Sequence, residues 1–115
     1  MSSTIYHNPR CSTSRNALQL LEEAGLQPVI VEYLKNPPSR QTLVGLIEQS
    51  GLTVREAVRA KEPLYKELGL DDSAVSDDQL LDAMIENPIL INRPFVTTPK
   101  GSRLCRPYEI VKEII

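Results

Sequence analysis

The sequence predicts an α/β fold in which a mixed four-stranded sheet carries helices on its faces. A strand–helix–strand pattern opens the chain over residues 4–34, and a run of helical patterns without a strand follows over residues 39–87. A strand–strand–helix pattern then closes the chain over residues 95–114. This order is typical of a sheet that mixes parallel and antiparallel strands. With 115 residues, the chain is long enough to bury a core as one domain, residues 1–115.

The first half predicts a βαβ unit. A short β-type run, Thr4–His7, leads into a turn that contains Cys11. Apolar residues then recur at helical spacing, which predicts a helix over about residues 12–24 that ends at Gly25. Residues 28–34 are nearly continuously apolar, which is typical of an inner parallel strand. The crossover between the two strands should be right-handed.

Residues 39–87 are predicted to be a helical insertion. Capping boxes that begin at Thr53 and Ser76 predict the starts of two of its helices. Arg55 and Arg59 are four residues apart, so we expect them to share one helix face. Arg59 could instead be a surface charge that pairs with a neighbouring glutamate.

The closing half predicts a hairpin and a final helix. Phe95–Thr98 is a predicted strand, residues 99–102 form the turn, and residues 103–105 form the partner strand. Pro107 fits the first position of a helix. The residues of this helix that we expect to pack inward are Ile110, Val111 and Ile114.

Composition argues against several classes of function. The net charge is −2, which gives no general electrostatic case for binding nucleic acid or an anionic membrane. No apolar run approaches the ~18 residues of a membrane span, and the N-terminus lacks the features of a secretion signal. Two cysteines and one histidine make neither a disulfide framework nor a metal site. We therefore expect a cytoplasmic protein without a metal, and we expect a monomer.

Cys11 is the predicted chemical centre. It lies between a strand and the first turn of a helix, where unpaired N–H groups and the helix dipole favour negative charge. The pKa of a thiol at such a position can fall from ~8.5 to roughly 3.5–7.5. Ser12, Thr13 and Ser14 can cap the helix or donate to an anion. Cys11 could instead be a buried, inert thiol, and His7 could stabilise a thiolate or be a structural histidine.

Arginines at stiff positions could complete an anion site. Arg93 and Arg106 each precede a proline, which holds the backbone extended and aims the side chain. A guanidinium fork suits a tetrahedral oxyanion, although each arginine alone could be a solvated surface charge. Ser14 stands where a C-x-x-C motif would have its second cysteine, so an oxidised Cys11 needs another thiol. Cys105 could serve as that thiol, or it could be a core residue.

Several blocks of the sequence match one family. They are Tyr6-His7-Asn8-Pro9, Cys11, Thr13-Ser14-Arg15, Asn36-Pro37-Pro38, Pro88-Ile89-Leu90-Ile91-Asn92-Arg93-Pro94 and Gly101-Ser102-Arg103-Leu104-Cys105-Arg106-Pro107. With these blocks the chain resembles, nearly end to end, the glutathione/glutaredoxin-dependent arsenate reductases. The resemblance implies a thioredoxin-like fold with a helical insertion between its βαβ and ββα halves.

The resemblance also implies roles for the matching residues. Cys11 matches the nucleophile that attacks arsenate, and His7 matches the histidine that helps keep it ionised. Arg59, Arg93 and Arg106 match the arginines that hold the oxyanion. Ser14 is expected to join these arginines in binding the substrate, and the residues expected to shape the site are Asn8, Ser12, Thr13, Arg15 and Pro94. Among the latter, Pro94 is similar to the cis-proline that faces the active thiol in this fold.

Two positions depart from the family pattern. Ser12 stands where members commonly carry glycine, and it adds a side chain where the backbone approaches the anion. Arg10 occupies a variable site, where it could strengthen anion binding or face solvent.

The implied reaction uses thiols as its only source of electrons. Cys11 forms an adduct with arsenate, glutathione reduces the arsenic as a co-substrate, and glutaredoxin removes glutathione from Cys11. No bound cofactor is expected. Two alternatives stay open: an orphan thioredoxin-fold thiol oxidoreductase, and a stress regulator that binds RNA polymerase.

Overall fold

The structure is a computed structural model that describes residues 2–115, and four strands and five α-helices lie in that range. The strands are β1 (Thr4–His7), β2 (Val29–Glu32), β3 (Phe95–Thr98) and β4 (Gly101–Leu104). The helices are α1 (Ser12–Glu23), α2 (Arg40–Gln49), α3 (Val54–Ala57), α4 (Pro63–Glu67) and α5 (Asp77–Glu86). Two 3₁₀ segments cover Pro88–Leu90 and Tyr108–Ile114. The element order is the predicted βαβ, helical insertion and ββα.

The strands form one mixed sheet in the order β2-β1-β3-β4. β1 pairs in parallel with β2 and antiparallel with β3, and β3 pairs antiparallel with β4. The mixed four-stranded sheet is therefore confirmed, but the prediction that residues 28–34 form an inner strand is wrong. β2 is an edge strand, and its Val29 and Ile30 are 56% and 49% exposed. β1 occupies the inner position because it has a partner on each side.

Helices cover both faces of the sheet, as predicted. Phe95 and Val96 are neighbours in β3, and because side chains alternate along a strand they belong to different buried clusters. Val96 packs with residues of α1 and the C-terminal 3₁₀ segment, such as Leu21 and Val111. Phe95 packs with residues of the helical insertion, such as Met84. The insertion is therefore joined to the sheet by a shared core, while the single-domain organisation stays a prediction.

The helical insertion shows both predicted capping boxes. In each box, the side chain of the N-cap residue, Thr53 or Ser76, accepts from the backbone N–H of the residue three positions later. The side chain of that later residue accepts from the backbone N–H of the N-cap residue. The shared face predicted for Arg55 and Arg59 is wrong, because α3 ends at Ala57. Arg55 turns inward and donates to the carbonyl of Leu70 at 2.8 Å, whereas Arg59 lies beyond the helix.

The C-terminal part differs from its prediction in detail. β4 ends at Leu104, so Cys105 follows the strand instead of belonging to it. The final helix is a 3₁₀ segment, and Pro107 is its N-cap with φ −62° and ψ 160°, not its first helical residue. The β-branched residues of this segment have low α-helix propensity, which is unfavourable for a regular α-helix here. Val111 and Ile114 are buried as predicted.

Candidate active site

Cys11 is the N-cap residue of α1, with φ −95° and ψ 120°. Its backbone N–H donates to the carbonyl of Asn8 at 3.0 Å, which closes the turn between β1 and α1. The Cys11 side chain is half-buried, and no side-chain hydrogen bond caps this end of the helix. The sulfur therefore lies where the first N–H groups of a helix lack partners and favour a negative charge.

A buried group of hydrogen-bonded residues holds the turn between β1 and α1. The Nδ1 atom of His7 and the Oγ atom of Ser14 are 2.6 Å apart, and the backbone N–H of Asn8 donates to the same Oγ at 3.1 Å. Ser14 is fully buried, and His7 is 7% exposed. The Ser14 hydroxyl thus ties the end of β1 to the first turn of α1. Its side chain is engaged with this group, and the substrate-binding role expected for Ser14 stays a prediction.

His7 belongs to the same buried group. Burial lowers the pKa of His7, and the nearby Glu32 opposes the effect. Its expected role, to help keep Cys11 ionised, stays a prediction.

The other residues expected to shape the site hold or border the same turn. The Oδ1 atom of Asn8 accepts the N–H of Arg10 at 3.0 Å, and Nη1 of Arg15 donates to the carbonyl of Pro9 at 2.9 Å. Ser12 is exposed and Thr13 is half-buried at the start of α1. The peptide bond between Arg93 and Pro94 is cis, as the family resemblance implied, and the bond between Arg106 and Pro107 is cis as well.

Arg106 and Arg93 lie next to the sulfur. Nη1 of Arg106 is 3.8 Å from Sγ of Cys11, and the same nitrogen donates to the carbonyl of Arg93 at 3.0 Å. This bond joins the two arginine-bearing segments on either side of the β3–β4 hairpin. The Nε of Arg93 is buried without a hydrogen-bond partner among residues 2–115. The site therefore retains a buried donor on one of its arginines.

Arg59 reaches the site through a backbone bridge. Its N–H donates to the carbonyl of Leu90 at 2.7 Å, and Val58 and Ile91 form an isolated antiparallel bridge. The bridge places the chain that follows α3, and with it Arg59, beside the segment that leads to Arg93. The Nε of Arg59 is 3.6 Å from Oε2 of Glu62, so the pairing with a glutamate that was open at the sequence level is present as well.

The three guanidinium groups and the thiol influence one another. Burial opposes ionisation of Cys11, but the backbone N–H of Ser14 and the guanidinium groups of Arg93 and Arg106 outweigh it and lower the pKa to about 7. Burial lowers the pKa of Arg59, and the positive charges of Arg93 and Arg106 add to that effect. Arginine nevertheless keeps its charge in proteins. The site therefore combines a thiolate with more positive charge than the thiolate neutralises, which favours a further anion.

Two cavities adjoin these arginines. The smaller, which we call the arginine cavity, has a volume of about 210 Å³ and is lined by Val58, Arg59, Ala60, Lys61, Asn92 and Arg106. The larger, which we call the mixed-charge cleft, has a volume of about 560 Å³ and has five charged lining residues, Arg10, Glu32, Lys35, Glu62 and Arg93. All charged residues of the arginine cavity are cationic, as an oxyanion requires, whereas the mixed-charge cleft carries both signs.

Lys61 and Tyr33 are site residues that the sequence analysis missed. Lys61 lines the arginine cavity. The sequence pattern predicts only that it lies in an interruption between two helices. Tyr33 is 1% exposed, and its hydroxyl is buried without a partner among residues 2–115. Burial raises the pKa of Tyr33 while Arg93 opposes the increase, so the phenol lies near that guanidinium. Nothing in an apolar run distinguishes this tyrosine from an ordinary core residue.

Cys105 contrasts with Cys11. It is fully buried, and burial raises the pKa of its thiol to about 12. Its thiol donates to the carbonyl of Arg103 at 3.8 Å. Of the two alternatives for Cys105, this environment favours a core residue. A protonated and inaccessible thiol reacts poorly with an oxidised Cys11.

Neither a metal cluster nor a membrane helix is found in the part of the chain that the structure describes. Within residues 2–115, no three His, Cys, Asp or Glu side chains come close enough together to hold a metal ion. Across the same residues, no helix is long and apolar enough to cross a membrane.

Comparison with known proteins gives a consistent result. The sequence model of the ArsC family matches residues 6–114. An arsenate reductase of Rhizobium meliloti (strain 1021) is 59% identical over 115 residues, which are 100% of this chain and 82% of that protein. An arsenate reductase of Escherichia coli (strain K12) is 52% identical over 112 residues, 97% of this chain and 79% of that protein.

A solved structure extends the similarity to three dimensions. The arsenate reductase from Vibrio cholerae superposes with a TM-score of 0.95 at 51% identity. The superposition covers 100% of this chain and 98% of that chain. The thioredoxin-like fold class and the family resemblance seen in the sequence are thereby confirmed.

Proposed function

The chain belongs to the ArsC family and acts as an arsenate reductase, and we propose that it does so through a Cys11–arsenate adduct that glutathione and glutaredoxin resolve. The supporting observation is the position of the Cys11 sulfur at the start of α1, 3.8 Å from Nη1 of Arg106. The same arginine lines a small cavity whose charged residues are all cationic. A nucleophilic sulfur and a site for a tetrahedral oxyanion thus lie side by side.

The first step is attack by the thiolate. With a pKa of about 7, Cys11 is about half ionised at neutral pH without an external base. An As–S bond forms, one arsenate oxygen leaves as water, and arsenic stays in the V state. Arg59 and Arg106 would hold the remaining oxygens in the arginine cavity, while Arg93 would add positive charge beside the sulfur.

The second step transfers two electrons to arsenic. The sulfur of glutathione bonds to the sulfur of Cys11, the As–S bond breaks, and its electron pair stays on arsenic, which becomes arsenic(III). Breaking the As–S bond frees arsenite, and glutaredoxin then takes glutathione from the mixed disulfide by thiol–disulfide exchange, which restores the Cys11 thiolate. All electrons come from thiols, so no bound cofactor takes part in this proposal.

Cys105 has no step in this scheme, because it is buried and protonated at neutral pH. The scheme requires a compartment that keeps thiols reduced, so the proposal includes a cytoplasmic location. It uses the residues of one chain only, and a monomer is kept as part of the proposal. No specific observation favours the orphan thiol oxidoreductase or the polymerase-binding regulator over this function.

A coupled assay tests the proposal. Purified protein is mixed with arsenate, glutathione and glutaredoxin, and the arsenite formed is measured while each component is omitted in turn. We expect arsenite to form only with the complete mixture. Arsenite formation that persists without glutathione, or at an equal rate in a Cys11→Ser variant, would contradict the proposed chemistry.

A further inference from the structure

The mixed-charge cleft is the larger of the two cavities that adjoin the site arginines, and the chemistry above gives the cleft no occupant. Its volume of about 560 Å³ falls in the ordinary range for small-molecule sites and exceeds what a four-oxygen anion needs. Pro9, Leu34 and Ile89 supply apolar lining between its charged residues. The cleft is therefore shaped for a larger and partly apolar ligand.

The charges of the cleft differ from those of the arginine cavity. Arg10 and Lys35 bring positive charge, and Glu32 and Glu62 bring negative charge. A ligand that uses all of them must itself carry both carboxylate and ammonium groups. A simple oxyanion fits poorly, because the glutamates would repel it.

Several of these charged groups are available to a ligand. The side chain of Arg10 makes no ion pair or hydrogen bond within residues 2–115, because only its backbone N–H is bonded, to Asn8. Lys35 and Glu32 are 3.7 Å apart with side chains that are 76% and 42% exposed, so their pairing is weak and can be exchanged for a ligand. Glu62 is partly engaged by Arg59 at 3.6 Å.

The cleft also borders the turn that holds the reacting sulfur. Arg93 lines it, and the same guanidinium group helps to lower the pKa of Cys11. The remaining wall includes Asn8 and Pro9, which belong to the turn that holds Cys11. A thiol-bearing ligand in the cleft would therefore lie beside the Cys11–arsenate adduct, on the side of Arg93.

From this arrangement we propose that the mixed-charge cleft binds the thiol donor, a small peptide with two carboxylates and one ammonium group, the class to which glutathione belongs. Arg10 and Lys35 bind its carboxylates, and Glu32 binds its ammonium group. The inference rests on the proposed function and adds the location and charge pattern of the donor site. The bound donor places its sulfur for the second step, in which an S–S bond forms with Cys11 and the As–S electron pair passes to arsenic.

Steady-state kinetics with charge variants test the site. Initial rates of arsenite formation are measured for Arg10→Ser, Lys35→Ser and the double variant, with glutathione and arsenate varied in separate series. The proposal predicts that the KM for glutathione rises about tenfold in the double variant, because two charge-assisted contacts are lost. The KM for arsenate should stay the same. Lys112→Ser, which removes an exposed lysine that does not line the cleft, should change neither constant.

A binding experiment separates failure of the donor site from failure of the proposed function. S-methylglutathione, which cannot react, is titrated into the unmodified protein and into the double variant while backbone amide NMR signals are followed. Shifts at residues 32–35 and 8–10 that vanish in the double variant support the site even if arsenate turnover is absent. Shifts elsewhere, or an unchanged KM for glutathione in an active double variant, would overturn it. A changed KM for glutaredoxin alone would also overturn it, since the cleft would then be a protein contact.

Discussion

Cys11 and Cys105 are the same chemical group in two different environments. Cys11 is half-buried at the start of α1, and N–H and guanidinium groups lower its pKa to about 7. Cys105 is fully buried among apolar side chains, where desolvation raises its pKa to about 12. Burial opposes ionisation at both sites, so the difference comes from donors that Cys11 has and Cys105 lacks. Thiol reactivity in this protein is therefore a property of the surrounding loop and arginines.

Replacing each cysteine should give the largest contrast. Cys11→Ser should reduce arsenate turnover by at least about 10³-fold, because a hydroxyl is far less ionised than this thiol and cannot form the mixed disulfide. Cys105→Ser should keep most of the activity and lose about 1–3 kcal/mol of stability, because a hydroxyl replaces a thiol in an apolar cluster. Arsenite formation and thermal unfolding measure the two effects. Complete loss of turnover in Cys105→Ser would show that the buried thiol has a catalytic step.

Removing the arginines should make Cys11 more like an ordinary thiol. Arg93→Ala and Arg106→Ala should each lower kcat/KM for arsenate by about 10–100-fold, since each removes a donor to the oxyanion and a charge near the thiolate. Alkylation of Cys11 should slow at neutral pH and stay normal at high pH, where the thiol ionises regardless. Arg103→Ala is a matched control, because Arg103 pairs with Glu113 away from the sulfur. Equal turnover in the Arg93 or Arg106 variants would mean that these arginines neither bind arsenate nor stabilise the thiolate.

The buried support of the turn should have a smaller effect. Ser14→Ala removes the Oγ atom that meets His7 Nδ1 and the Asn8 N–H, which leaves buried polar groups unpaired at about 1–3 kcal/mol. Turnover should fall about tenfold or less, with the pKa of Cys11 raised, because the first turn of α1 is less well held. Ser50→Ala is the control, since the buried Ser50 hydroxyl has no partner to lose among the described residues. If the pKa of Cys11 is the same in the Ser14→Ala and Ser50→Ala variants, the Ser14 hydroxyl has only a structural role.

An arginine that does not serve the thiol should have the smallest effect on catalysis. Arg55 donates to the hydroxyl of Tyr65 and to the carbonyl of Leu70, and so joins parts of the helical insertion. Arg55→Met should lower the free energy of unfolding by about 1–3 kcal/mol, because buried acceptors lose their donor. The pKa of Cys11 and the KM for arsenate should not change at temperatures where the fold persists. A shift in either would show that the insertion controls the site.

Local patterns predicted the parts of the molecule that local sequence controls. The turn at Cys11 and the capping boxes follow from neighbouring residues, and the stiff positions of Arg93 and Arg106 follow from the prolines after them. Strand order does not follow from such patterns, because the apolar run of β2 reads like an inner strand whether or not a second partner is present. β2 is at the edge because β3, late in the chain, pairs with β1.

The candidate site shows the same limit. Arg59 reaches it through the bridge between Val58 and Ile91, a contact between distant segments that helical spacing cannot reveal. The sequence placed His7 near the thiol, but it did not reveal the buried contact between His7 and Ser14. Lys61 and Tyr33 were missed because their roles depend on what folds against them.

The most direct test is a pH titration of Cys11 itself, followed by the ultraviolet absorbance of the thiolate in a Cys105→Ser background. The fraction of thiolate rises with pH, and we expect its midpoint near 7, because the folded protein lowers the pKa of Cys11 to about 7. Adding Arg106→Ala should move the midpoint upward. A midpoint at or above the ~8.5 of a free cysteine, unaffected by Arg106→Ala, would contradict the claim that the helix start and the arginines hold this sulfur as an anion.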